Sequence, residues 1–150
     1  MAAPLAAKDS LGVYWGWAAF RDAGVPRCYA IAAPEPRRNY RANGAYASVG
    51  TWPAQQVRGQ LHIRLSRASA KTARVRLTIG NQRFDLMAQG SDAWAKDKAM
   101  DAAVIAAMRA ATRMSVRGVS SRGAAFTDRY DLGGAATAMD AALVGCSNQG

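Results

Sequence analysis

Two stretches alternate cleanly between apolar and polar residues. Leu61, Ile63 and Leu65 alternate with His62 and Arg64, and Val75, Leu77 and Ile79 alternate with Arg74 and Arg76. A period of two places one set on each face of a strand, which predicts strands over 59–66 and 73–79. The linker between them, Arg67 to Thr72, is short and polar, so the two are expected to pair as a hairpin. With Leu65 facing Val75, Arg64 would stand opposite Arg76 on the solvent side. Gly80-Asn81 predicts a second, tighter hairpin into QRFDLMA, with Phe84 and Leu86 pointing inward.

Similar patterns run through the rest of the chain. Leu11 to Phe20 reads as one strand with Val13, Trp15 and Trp17 on its packed face. Asp22 to Pro26 is a turn, and Arg27 to Ala32 and Ala45 to Trp52 are extended. Pro34 to Asn43 carries two prolines and is expected to be a loop, as is Gly90 to Ala93. From Trp94 onward the period lengthens. Met100, Val104, Ala107, Met108 and Ala111 share one face of a helix expected over 97–112. Met114 and Val116 return to alternation, turn chemistry follows at Ser120 to Gly123, and Ala125 to Tyr130 extends again. Leu132, Ala136, Met139, Leu143 and Cys146 then fall on one face of a closing helix over 133–145, with Asp131 as its expected N-cap. These elements predict a mainly β fold, an antiparallel two-layer, sandwich-like domain with two helices near its C-terminal end.

Composition narrows the function classes. The chain has 150 residues, half of them hydrophobic, which suits one domain, expected over 11–150. Twenty basic and ten acidic side chains give a net charge of +10, a cationic field that favours anionic partners. Arg37, Arg38 and Arg41, with Tyr40 among them, form the densest basic cluster. Arg64, Arg74 and Arg76, rimmed by Arg67 and Lys71, form the expected cationic sheet face. A solvated surface without a partner is the ordinary reading of both groups. An anionic envelope component or a protein partner is the functional one.

No run approaches the roughly 18 apolar residues a membrane helix needs. Residues 1–10, MAAPLAAKDS, resemble the tail of a secretory signal, its charged start removed or replaced by Met1, or else a disordered N-terminal tail. Cys28 and Cys146 are too far apart for a CxxC redox motif, and the lone His62 cannot complete a zinc site with them. Free buried thiols and an oxidised pair both stand, and the signal-like start favours the pair and an exported protein.

The catalytic inventory is thin. A serine nucleophile needs a base in reach, and His62 sits on an expected strand beside arginines, with no Gly-x-Ser-x-Gly elbow. Asp92, Asp97, Asp101, Asp128, Asp131 and Asp140 could pair as carboxylates, but most fall at expected caps or helix starts. Gly133-Gly134 opens a helix without making a phosphate loop. No enzyme activity, metal or cofactor is expected.

The order of several residues carries a resemblance. Trp17, Phe20 and Cys28-Tyr29-Ala30 open the pattern. Trp94, Asp101, Ala107, Met108 and Met114-Ser115-Val116 continue it, followed by Ser121, Arg122 and Gly123. It ends on Asp128, Tyr130, Leu132, Gly134, Ala138 and Cys146. This resembles the invasion-associated locus B family of small exported alphaproteobacterial proteins, which carries an Asp-x-Tyr-x-Leu-x-Gly pattern into its final helix. Asp131 and Ala135 depart from the residues frequent there, a serine and an aromatic. The resemblance implies a secreted or periplasmic β-rich domain with a structural disulfide. Members have been linked to host-cell invasion without an established catalytic mechanism, so it supplies no catalytic residues.

The expectation is a non-enzymatic envelope protein that engages an anionic surface or protein partner through its cationic face. The rivals are a cytosolic nucleic-acid-binding protein using the same surface and a periplasmic hydrolase inhibitor.

Overall fold

The computed structural model describes residues 8–147. Ten strands and two helices follow in order: β1 (Lys8–Tyr14), β2 (Trp17–Asp22), β3 (Arg27–Ala32), β4 (Tyr46–Trp52), β5 (Val57–Arg64), β6 (Val75–Ile79), β7 (Gln82–Gln89), β8 (Asp92–Trp94), α1 (Lys98–Ala110), β9 (Arg113–Val119), β10 (Ala125–Asp131) and α2 (Ala135–Gly145). The fold is mainly β and antiparallel, as the alternation predicts. Its strands join into one continuous sheet in the order β1-β2-β3-β4-β5-β8-β7-β6-β9-β10. Most of residues 1–10 lie outside the described residues, and Lys8 to Ser10 already belong to β1.

One pairing differs from expectation and changes the site. β5 and β6 do not form a hairpin. β5 lies between β4 and β8, with Arg64 opposite Tyr46 and Asp92. β6 lies between β7 and β9, with Arg76 opposite Asp85 and Arg117. The tight Gly80-Asn81 turn commits one edge of β6 to β7, and β9 takes the other, so no edge is left for β5.

Two smaller expectations also fail. Leu11 to Phe20 is not one strand but a hairpin that turns at Trp15, which has φ of 57°. Trp17 is therefore fully buried while Trp15 is 84% exposed and Val13 71% exposed. The Gly90 to Ala93 loop hides β8, whose three residues bridge β5 and β7.

The inward positions of the strands share one core, from Trp17 and Ala19 through Leu61, Ile63, Leu77 and Val116 to Tyr130. α1 lies against β5 and α2 against β1, β2 and β3. Asp97 caps α1 by accepting the Met100 N–H at 2.8 Å. The cap of α2 is Gly134 rather than Asp131, whose carboxylate accepts the Gly133 N–H at 2.7 Å instead. Gly134 has φ of +87°, and a Cβ there would meet the Tyr14 carbonyl oxygen at 1.9 Å, so only glycine fits between β1 and α2. The buried stripe of α2 is Ala135, Ala138, Met139 and Ala142, and Leu143 is left 37% exposed. At its end Cys146 forms a disulfide with Cys28 of β3, with Cα atoms 5.9 Å apart, and both cysteines are buried.

Candidate functional site

The pattern Asp128, Tyr130, Leu132, Gly134 builds the scaffold. Alternation turns Asp128 and Tyr130 inward from β10, and Leu132 is buried just beyond it. Asp128 is fully buried, and its carboxylate accepts hydrogen bonds from the Tyr40 hydroxyl at 2.8 Å, the Ser66 N–H at 2.9 Å and the Ser66 hydroxyl. A buried carboxylate needs such donors, since without them desolvation disfavours its charge. Burial first, and then the bond to Asp128, push the Tyr40 phenol above its ordinary range. Burial does the same to Tyr130, whose hydroxyl has no hydrogen-bond partner among the described residues.

This network positions the Arg37 to Arg41 loop along β10, an edge strand of the sheet. Glu35 N–H donates to the Arg129 carbonyl at 2.6 Å, and the Arg37 guanidinium donates to the Thr127 carbonyl at 2.7 Å. Both occupy carbonyls that an uncovered edge would offer to another chain. Arg37 also lies over the Tyr40 ring at 4.3 Å. Arg67 donates to the Arg41 carbonyl at 3.2 Å, so it ties the loop to the segment after β5. Arg37 and Arg67 border one pocket of about 370 Å³, while Arg38 and Arg41 are exposed.

The expected cationic sheet face divides. Arg64 belongs to another part of the sheet, where its guanidinium bonds both Asp92 oxygens at 3.1 Å. Arg74 and Arg76 stay together and share one carboxylate, Asp85, at 3.7 and 3.2 Å. Pairing of β6 with β9 brings Arg117 directly opposite Arg76. These three arginines line a shallow groove of about 460 Å³ that also takes in Thr72. Lys71 is exposed next to Thr72. Arg129 of β10 and Arg83 of β7 extend the exposed basic surface, and neither makes an ion pair among the described residues. Sequence reasoning missed Arg117. Its alternation with Val116 marks it as outward-facing, but only the pairing with β6 places it beside Arg76.

His62 is half-buried. Its Nε2 lies 3.0 Å from Asp92 Oδ1 and its Nδ1 3.3 Å from the Tyr46 hydroxyl. A carboxylate only accepts, so the neutral ring donates from Nε2 and accepts from Tyr46 at Nδ1. Burial opposes the charge on Asp92, but the bonds from His62 and Arg64 outweigh it and hold the carboxyl below its usual range. Of the other carboxylates, Asp101 accepts the Leu61 N–H at 2.9 Å and Asp140 pairs with Arg109 at 2.8 Å. Among the described residues no three His, Cys, Asp or Glu side chains gather as metal ligands.

A family model described as invasion associated locus B protein matches residues 15–143. The solved structure of invasion associated protein B from Bartonella henselae is similar in fold, with a TM-score of 0.67 at 15% identity over 93% of this chain and 99% of that one. Among curated proteins none matches.

Proposed function

Because the chain belongs to the invasion associated locus B family, we propose that it is a non-enzymatic, exported binding protein that docks on an anionic surface of the cell envelope. The outward face of β6 and β9 makes the contact. The observation that carries this reading is the register pair Arg76 and Arg117, with Arg74 beside it and one carboxylate, Asp85, serving Arg74 and Arg76. Like charges directly opposite on a sheet destabilise it, and an anion seated between them removes that penalty. Export is supported by the buried disulfide, which persists in oxidising compartments. No helix among the described residues is long and apolar enough to cross a membrane. Both nitrogens of the single histidine are held by Tyr46 and Asp92, which favours binding over acid–base chemistry.

The test is co-sedimentation with phosphatidylglycerol vesicles. The wild-type chain binds at low salt and is released as salt screens the charges. Charge reversal at Arg74, Arg76 and Arg117 abolishes binding, whereas Arg64→Gln, on the other half of the sheet, leaves it intact. A triple reversal that binds like wild type would rule this face out.

A further inference from the structure

We propose that the opposite half of the sheet carries a second site, on the outward face of β3, β4, β5 and β8, for a glycan that bears a carboxylate. The groove there has a volume of about 540 Å³, the size of a small-ligand site. Its floor is aromatic. A Cβ on Gly50 would lie 2.7 Å from the Trp52 indole, so this ring lies along β4 instead of standing up from it. Trp94 stacks on His62 at 5.8 Å and 20° between planes, and Tyr46 meets the same imidazole edge-on at 5.4 Å.

Flat π faces attract the C–H face of a pyranose ring, whose polarised hydrogens match the negative face of the aromatic quadrupole. Hydroxyls around a sugar need partners beside those rings. The Gln60 amide, which makes no hydrogen bond among the described residues, and Ser48 line the same groove.

One end of the groove is cationic. The Arg27 guanidinium lies 4.8 Å from the Tyr29 ring and 5.9 Å from the Trp52 ring, held between them. Its ion pair with Asp22 is long, at 3.9 Å, and its Nε is buried without a hydrogen-bond partner. Lys8 sits beside it, over the same Tyr29 ring at 5.8 Å, and makes no ion pair among the described residues. A guanidinium fixed between two rings beside an unpaired ammonium suits a carboxylate.

Other ligands fit less well. A phosphodiester chain needs a continuous basic track, and here Asp22 and Asp92 offset most of the positive charge. A peptide added as a strand needs a free sheet edge, and β3, β4, β5 and β8 are each paired on both sides.

Calorimetric titration with tetragalacturonate tests the site. Saturable binding is expected, with Trp94→Ala and Arg27→Gln each weakening it about tenfold and neutral maltotetraose binding about tenfold more weakly. Thermal midpoints report whether each variant folds. Should Trp94→Ala fail to fold, Gln60→Ala tests the same floor, with an expected loss of about threefold. Reversal of Arg74, Arg76 and Arg117 leaves glycan binding unchanged, so failure of this site is distinguishable from failure of the vesicle-binding face. The proposal is overturned by absence of saturable binding, or by variants of Trp94, Arg27 and Gln60 that bind like wild type. It is equally overturned if oligothymidylate or polyglutamate competes as well as the glycan.

Discussion

Strands β3, β4 and β8 turn Tyr29, Tyr46, Trp52 and Trp94 outward, whereas β6 and β9 turn out Arg76 and Arg117, with Arg74 just before β6. The first half settles most of its charges internally and leaves Lys8 unpaired among the described residues. Asp92 takes both His62 and Arg64, and Asp22 faces Arg27. The second half leaves a surplus, because Asp85 alone serves Arg74 and Arg76 while Arg117 stands in register with Arg76. A net charge of +10 is therefore not one property of the surface. On one half arginine props up aromatic rings and closes carboxylate networks, and on the other it is offered to the outside.

The inner supports of the halves differ too, and the largest expected effects follow from them. Cys28 lies in β3 beside Tyr29, on the opposite face of the strand, and ties it to the end of α2. Replacing Cys28 and Cys146 by Ala removes a cross-link over 118 residues. The loop-entropy model puts that loss at about 4–5 kcal/mol, measured by denaturant unfolding. Hydrogen exchange should rise first in β1, β2, β3 and α2, ahead of β6, β9 and β10. Simultaneous loss of protection everywhere would mean the halves are not separately supported.

The arginine half has Asp128 in the corresponding role. Asp128→Ala leaves the Ser66 N–H and hydroxyl and the Tyr40 hydroxyl without their acceptor. The expected cost is about 3 kcal/mol by the same unfolding measurement, because hydrogen bonds to a buried charge are among the strong ones. The Arg37 loop should lose protection with it, while the Trp52 and Trp94 environments, followed by fluorescence, stay unchanged.

A smaller effect separates the halves by pH. The folded-state pKa of Asp92 is depressed, so its contribution is complete above the ordinary carboxylate range and is lost as pH falls through the folded value. Asp92→Asn should lower the thermal midpoint at pH 7, and the gap to wild type should close in acid. A gap that persists at pH 2 would assign the loss to packing rather than to the ionised carboxylate.

Much of this was readable in the alternation of residues. β3 has the expected bounds, and the inward sets Leu61, Ile63 and Val75, Leu77, Ile79 are buried as the period of two requires. α1 and α2 lie within their expected ranges. What alternation does not carry is the identity of a strand's neighbour. The polar segment from Arg67 to Thr72 looks like a hairpin loop, yet it leads from one half of the sheet to the other. That one connection moved Arg64 away from Arg74 and Arg76 and brought Arg117 in. The aromatic groove was invisible for the same reason. Tyr29, Tyr46, Trp52 and Trp94 are spread over three strands, β3, β4 and β8, and Trp94 lies on one too short to show a period. The disulfide stood among two open readings until the fold placed Cys28 under the end of α2.

The most direct test of the central claim is side-chain and amide NMR of the folded, oxidised chain with phosphatidylglycerol nanodiscs at low salt. Line broadening centred on Arg74, Arg76 and Arg117, with Trp52 and Trp94 resonances unmoved, is the predicted result. Broadening centred on the aromatic groove, or spread evenly over every exposed arginine, would contradict a division of the surface into a vesicle-docking half and an aromatic half.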